Sequence, residues 1–91
     1  MKTPQHEKAS IALKKAHSLL GKILAMMEED RYCIDIMQQN LAAIGLLKSA
    51  HQSLMEGHLH SCVENAFATG NQKRQHEMIG EILTVSKLAN K

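Results

Sequence analysis

The sequence predicts an all-α fold, and three observations lead to this prediction. The 91-residue chain contains no Trp, one Tyr, one Phe and one Pro, so it lacks the residues from which β-sandwiches and barrels are built. Helix-favouring Ala, Leu, Met, Gln, Glu and Lys abound, and apolar residues recur at steps of three and four. Because a chain of this length holds one core, we expect residues 1–91 to form a single helical domain.

Three helices are predicted in order. The first begins with Thr3 as N-cap and Pro4 at the first helical position, and runs to about Glu29. Its apolar positions step by three and four residues, at Leu13, Ala16, Leu20, Ile23 and Met27. Acidic residues then interrupt the pattern.

Asp30 is the predicted N-cap of a second helix, which places Cys33 in its first turn and continues to about Thr69. One face carries a heptad seam, formed by Ile34, Met37, Leu41, Ile44, Lys48, His51, Met55, His58 and Cys62. A neighbouring stripe runs through Ile36, Ala43, Leu47, Ala50 and Leu54, so this helix is expected to pack against more than one partner. Gly70 and Asn71 end it.

A third helix is predicted from about Gln72 to Leu88. Its apolar side is formed by Met78, Ile79, Ile82, Leu83, Val85 and Leu88. The second helix, at 1.5 Å per residue, would be roughly 58 Å long, which exceeds the width of a 91-residue globule. We therefore expect the chain to self-associate, with antiparallel pairing of the second helices about a two-fold axis.

Cys33, His58 and Cys62 are the candidate metal ligands. His58 and Cys62 are four residues apart and share one helical face, as ligands on a helix must. Cys33 lies 25 residues earlier and faces nearly the same direction, yet it is about 37 Å away along the axis. One helix cannot bring the three together.

Antiparallel pairing of two copies resolves this separation. A two-fold axis near residues 46 and 47 would bring Cys33 of one protomer to His58 and Cys62 of the other, in two equivalent sites. Small side chains near the crossing permit a close helix approach. Two thiolates and one imidazole suit trigonal Cu(I), while Ni(II) or Zn(II) would need an additional nitrogen or oxygen ligand. His60 points away from this set.

Composition excludes several functional classes. The net charge of +2 is weaker than that of a typical nucleic-acid binder. No apolar run approaches the ~20 residues that cross a bilayer, and no apolar signal segment begins the chain, so we expect a cytoplasmic protein without a membrane partner. A phosphate-binding loop, a carboxylate pair and a nucleophile with its base are all missing from the pattern, so we expect no enzyme.

The sequence resembles the copper-sensitive operon repressor family of small helical bacterial regulators. The resemblance covers nearly the whole chain and is carried by residues 26–37, Gln39, residues 41–44, Gly57-His58-Leu59 and Cys62-Val63. In copper-sensing members, a Cys, a His 25 residues later and a Cys four residues after that bind Cu(I) across a dimer interface. Cys33, His58 and Cys62 match that spacing residue for residue.

The resemblance implies a disc-shaped homotetramer of antiparallel dimers, which binds operator DNA as the apo protein and releases it when metal binds. It also implies that residues around the His ligand couple metal binding to the release of DNA. Tyr32 matches the family's Tyr, and Glu77 and Glu81 are both candidates for its Glu.

The chain departs from the family in its first helix, which carries no Arg where the family has DNA-contacting arginines. Lysines remain as candidate phosphate contacts, namely Lys8, Lys14, Lys15 and Lys48, with Lys2 and Lys22 nearby. Alternatives are therefore a copper buffer or carrier without operator recognition, a nickel or zinc sensor that uses His6, His17 or His60, and a thiol-persulfide sensor.

Overall fold

The computed structural model describes residues 3–91, and Lys2 lies outside them. Within those residues the protein is all-α, with no strand. Four α-helices and one π-helical segment follow in order: α1 (Pro4–Glu28), α2 (Cys33–His58), the π-helical segment (Leu59–Val63), α3 (Glu64–Ala68) and α4 (Gln72–Ala89). All three predicted helices are present, the second of them divided.

The ends of α1 and α4 follow from local chemistry. The Thr3 side chain accepts a hydrogen bond from the His6 N–H at 3.0 Å, and Pro4 occupies the first helical position, as predicted. Gly70 has a left-handed φ of 71°, which glycine adopts without strain, and Asn71 then caps α4 by accepting from the Arg74 N–H at 3.1 Å.

The predicted N-cap of the second helix is wrong. Asp30 has a φ of 55°, which is a left-handed turn conformation and not the extended one of an N-cap. It follows the end of α1, where the Asp30 and Arg31 N–H groups donate back to Met27 and Met26 carbonyls. Helix α2 consequently starts later, with Cys33 as its first residue.

The predicted single helix from Arg31 to Thr69 is also wrong in one respect. After His58 the backbone widens into the π-helical segment Leu59–Val63 before α-helix resumes at Glu64. None of its five residues is buried. A π-helical turn accommodates extra chain within a helix and is found frequently at functional sites. Cys62 lies inside it.

The chain divides into two compact units, one ending at Gly57 and the other comprising residues 58–91. In the first unit α1 and α2 pack through small side chains. Ala9, Ala12 and Ala50 form a cluster of buried residues. Buried residues of α2 recur every seven positions, at Ala43, Ala50 and Gly57.

The α1–α2 packing is closest at Gly57. A Cβ on Gly57 would lie 3.0 Å from Thr3 Oγ1 and 3.2 Å from Gln5 Cβ. Because the start of α1 meets the end of α2 here, while Ala9 and Ala12 meet Ala50 further along, the two helices run antiparallel.

In the second unit, α4 packs against α3. Met78 and Ala66 are the buried side chains. The Ala66 carbonyl accepts from both Thr69 Oγ1 at 3.0 Å and Gln75 Nε2 at 3.3 Å, so it joins the end of α3 to the start of α4. Large apolar residues elsewhere on α4, Ile79 and Leu83 among them, are exposed.

The heptad seam of α2 is exposed in its first half. Ile34, Met37, Leu41 and Ile44 keep 44%, 56%, 66% and 40% of their surface accessible. The neighbouring stripe, in contrast, supplies the buried Ala43 and Ala50 that pack on α1. Contiguous exposed apolar surface of this kind marks an interaction site. No helix among residues 3–91 is long and apolar enough to span a membrane.

Because α1 and α2 pack through alanines, a larger side chain in this contact should destabilise the fold. We expect Ala50→Leu to destabilise the fold by about 1 to 3 kcal/mol, because the added atoms must displace α1 at Ala9 and Ala12. Ala25→Leu adds the same atoms at an exposed position of α1 and should change stability by less than about 0.5 kcal/mol. Urea unfolding of the two variants at equal protein concentration measures the difference, and equal losses would contradict the packing described.

Candidate metal centre

Cys33 is presented at the beginning of α2. The Tyr32 carbonyl accepts from the N–H groups of Asp35 and Ile36, so the first turn forms immediately after Tyr32. Cys33 is exposed and is a free thiol. The predicted position of Cys33 in the first turn of the helix is confirmed, although the helix starts at a later residue than predicted.

His58 and Cys62 lie one after the other in the second unit. His58 is the last residue of α2 and Cys62 belongs to the π-helical segment, and both are half-buried. Their separation of four residues keeps them about one turn apart.

Within one chain the three candidate ligands do not form a cluster. Among residues 3–91, no group of three His, Cys, Asp or Glu side chains is placed to hold a metal ion. Cys33 and Gly57, the residue before His58, stand at opposite ends of the first unit, roughly 36 Å apart along α2. The donor types nevertheless fit a soft metal ion, since two thiols and an imidazole become thiolate and neutral nitrogen ligands.

His60 has a different partner. Its Nδ1 lies 3.4 Å from Glu64 Oε1, four residues further on, and both side chains are exposed. Glu64 was not singled out from the sequence, although its spacing from His60 is the signal for such a pair. This neighbour supports the expectation that His60 stands apart from the candidate ligands.

The residues expected around the His ligand are placed as follows. Tyr32 is 70% exposed. Arg74 Nη1 donates to Glu77 Oε2 at 3.1 Å and lies 3.7 Å from Glu81 Oε1. Arg74 therefore engages both candidate carboxylates, and this arginine was missed although it precedes Glu77 by three residues on the same helix.

The lysines divide into two groups. Lys8 and Lys15 border a groove of about 240 Å³ between α1 and α2, whose other lining residues are Ile11, Ala12, Leu46, Ser49 and Ser53. Lys14, Lys22 and Lys48 are exposed but do not line this groove. The two serines were not identified from the sequence, and their four-residue spacing is the only signal for a shared face.

Comparisons with known proteins find similar sequences over most of the chain. The family model described as metal-sensitive transcriptional repressor matches residues 5–87. The copper-sensing transcriptional repressor CsoR of Bacillus subtilis (strain 168) is 36% identical over 75 residues, which cover 82% of this chain and 71% of that protein.

The copper-sensing transcriptional repressor RicR of Mycobacterium tuberculosis (strain ATCC 25618 / H37Rv) is 35% identical over 68 residues, or 75% of this chain and 71% of that protein. CsoR of Mycobacterium ulcerans (strain Agy99) is 33% identical over 75 residues, which cover 82% of this chain and 62% of that protein. No solved structure gives a significant match.

The π-helical segment generates a prediction about local stability. With no buried residue among 59–63, its amides should exchange with solvent at least about tenfold faster than those of residues 43–50, which pack on α1. Hydrogen-exchange mass spectrometry of the reduced, metal-free protein measures both segments in one experiment. Equal protection would show that the segment is held as firmly as the α1–α2 core.

Proposed function

The chain belongs to the metal-sensitive transcriptional repressor family, and we propose that it is a Cu(I)-responsive repressor that binds operator DNA in its metal-free form. That family consists of transcriptional regulators and is not a class of enzymes. The relatives reported above are named copper-sensing repressors, which supports copper as the metal.

The observation that carries the proposal is the position of the candidate ligands on α2. Cys33 opens this helix and His58 closes it, while the seam between them exposes Ile34, Met37 and Leu41. Burying that seam against an antiparallel copy removes apolar surface from water and brings unlike helix ends together. Cys33 of one protomer would then share a site with His58 and Cys62 of its partner.

The donor set supports Cu(I) over the alternatives. Thiolates are soft ligands that select Cu(I), whereas Ni(II) and Zn(II) would need a further nitrogen or oxygen ligand. The His60 ring is paired with Glu64 through Nδ1, which stands against its use as an additional ligand. When bound, the ion would link two protomers through their own thiolates and imidazole.

The lysine groove supports contact with DNA. Lys8 and Lys15 are two helical turns apart on α1 and face Ser49 and Ser53 of α2 across the groove. Lysines neutralise phosphates and serine hydroxyls donate to them, which is the chemistry of backbone contact and not of base recognition. Lys14 and Lys48 would add to the basic surface outside the groove.

The metal site is tested by mixing variants. Cys33→Ala and the double variant His58→Ala/Cys62→Ala should each lose tight Cu(I) binding. A refolded mixture should regain it, at about one ion per heterodimer, because each heterodimer contains one complete intersubunit site. Competition against a Cu(I) chelator under anaerobic conditions provides the measurement, with a mixture of Cys33→Ala and wild type as stoichiometric control. No recovery in the mixed sample would contradict a shared site.

DNA binding is tested by its salt dependence. Fluorescence anisotropy with DNA from the protein's own upstream region should give tight binding that one equivalent of Cu(I) per chain abolishes. Lys8→Gln and Lys15→Gln should each reduce the slope of log affinity against log salt by about 1 for every lysine removed per bound complex. Lys87→Gln in α4 lies outside the groove and serves as the matched control. Saturable Cu(I) binding without DNA binding would instead identify a copper buffer or carrier.

A further inference from the structure

The first turn of α1 is seated directly on the residue that precedes His58. A Cβ at Gly57 would lie 3.0 Å from Thr3 Oγ1 and 3.2 Å from Gln5 Cβ, closer than side chains normally approach. Gly21, Gly45 and Gly80 have nothing within 4 Å of the equivalent point. A side chain at Gly57 would therefore require Thr3 and Gln5 to move by a few tenths of an ångström, a constraint that Gly21, Gly45 and Gly80 do not have.

The Thr3 hydroxyl takes part in two interactions. It accepts the hydrogen bond from the His6 N–H that caps α1, and it faces Gly57 of α2. The Thr3 carbonyl also accepts from the Glu7 N–H at 3.0 Å. The geometry of the first turn of α1 is consequently tied to the backbone of α2 at position 57, without a flexible side chain between them.

The same two helices carry the lysine groove, which begins about one turn from this contact. Lys8 follows one turn after the Thr3 cap, and Ser53 precedes Gly57 by one turn on α2, and both line the groove. The contact between Thr3 and Gly57 thus has the candidate metal ligand His58 on one side, as the next residue of the chain. The candidate phosphate contacts Lys8 and Ser53 lie about one turn away on α1 and α2.

We propose that Gly57 is a positioning residue, through which metal occupancy at His58 changes the start of α1 and thereby the affinity of the lysine groove for DNA. The proposal rests on the function proposed above. A shift of the α2 backbone at His58 moves Gly57, and because Thr3 is in contact there, the capped turn that leads to Lys8 must move with it.

The test compares glycine variants of the full chain. Gly57→Ala pushes Thr3 and Gln5 away by a few tenths of an ångström, whereas Gly21→Ala adds the same methyl group where nothing lies within 4 Å. The readout is the ratio of DNA dissociation constants with and without one equivalent of Cu(I) per chain. We expect Gly57→Ala to reduce this ratio at least about fivefold while Cu(I) stoichiometry is retained, and Gly21→Ala to leave the ratio unchanged. An unchanged ratio in folded Gly57→Ala overturns the proposal.

A second pair of variants covers the case in which Gly57→Ala does not fold. Thr3→Ser keeps the capping hydroxyl, and Thr3→Val keeps the shape but removes the acceptor. A reduced ratio for Thr3→Val with a normal ratio for Thr3→Ser supports the proposal, and normal ratios for both overturn it. A structural role alone would lower stability without changing the ratio.

A readout without DNA separates this proposal from the proposed function. Hydrogen exchange of residues 4–12 should change when wild type binds Cu(I), and should not change in Thr3→Val. If wild type binds Cu(I) but no DNA, the proposed repressor function is wrong. The exchange result still shows whether Cu(I) binding changes the start of α1. If Cu(I) leaves the exchange of these residues unaltered, the coupling through Gly57 is overturned.

Discussion

The structure depends on the close approach of α1 and α2, which small side chains permit. Ala9, Ala12 and Ala50 are almost completely buried, and Gly57 meets Thr3 without an intervening side chain. Alanine removes little apolar surface from water, so this core provides less hydrophobic free energy than one of leucines would. The larger side chains, Leu41 and Met37 among them, remain on the outside. Close packing of α1 on α2 through small side chains therefore leaves much of the larger apolar surface exposed.

This division of α2 into two faces explains why the candidate ligands are so far apart. One face is committed to α1 by its seven-residue repeat of small residues. The adjacent face holds the seam, on which Cys33 begins and His58 ends the helix. Since a helix cannot fold back on itself, ligands at its two ends do not meet within one copy, and in the proposed site a second copy supplies the opposite end.

The sequence predicts the elements well where a local rule decides them. The Thr3-Pro4 cap and the Gly70-Asn71 break each follow from neighbours in the chain, and the structure has both. Asp30 is different, because the same residue type caps helices and tolerates the left-handed conformation, and the choice depends on how α1 ends. The π-helical segment likewise has no signature in residues 59–63. The role of Gly57 depends on contact with Thr3, more than fifty residues away in sequence, which periodicity cannot show.

With the pairing proposed above, the exposed seam has a consequence for how long an unpaired chain would persist in a cell. A protomer without a partner presents Ile34, Met37 and Leu41 to solvent, and such surface is what chaperones and proteases engage. Newly made chains would thus be cleared unless they meet another copy, whereas paired chains would be spared. At low rates of synthesis, few chains would meet a partner before they are degraded. Degradation of unpaired chains would thus set a threshold rate of synthesis, below which little protein accumulates.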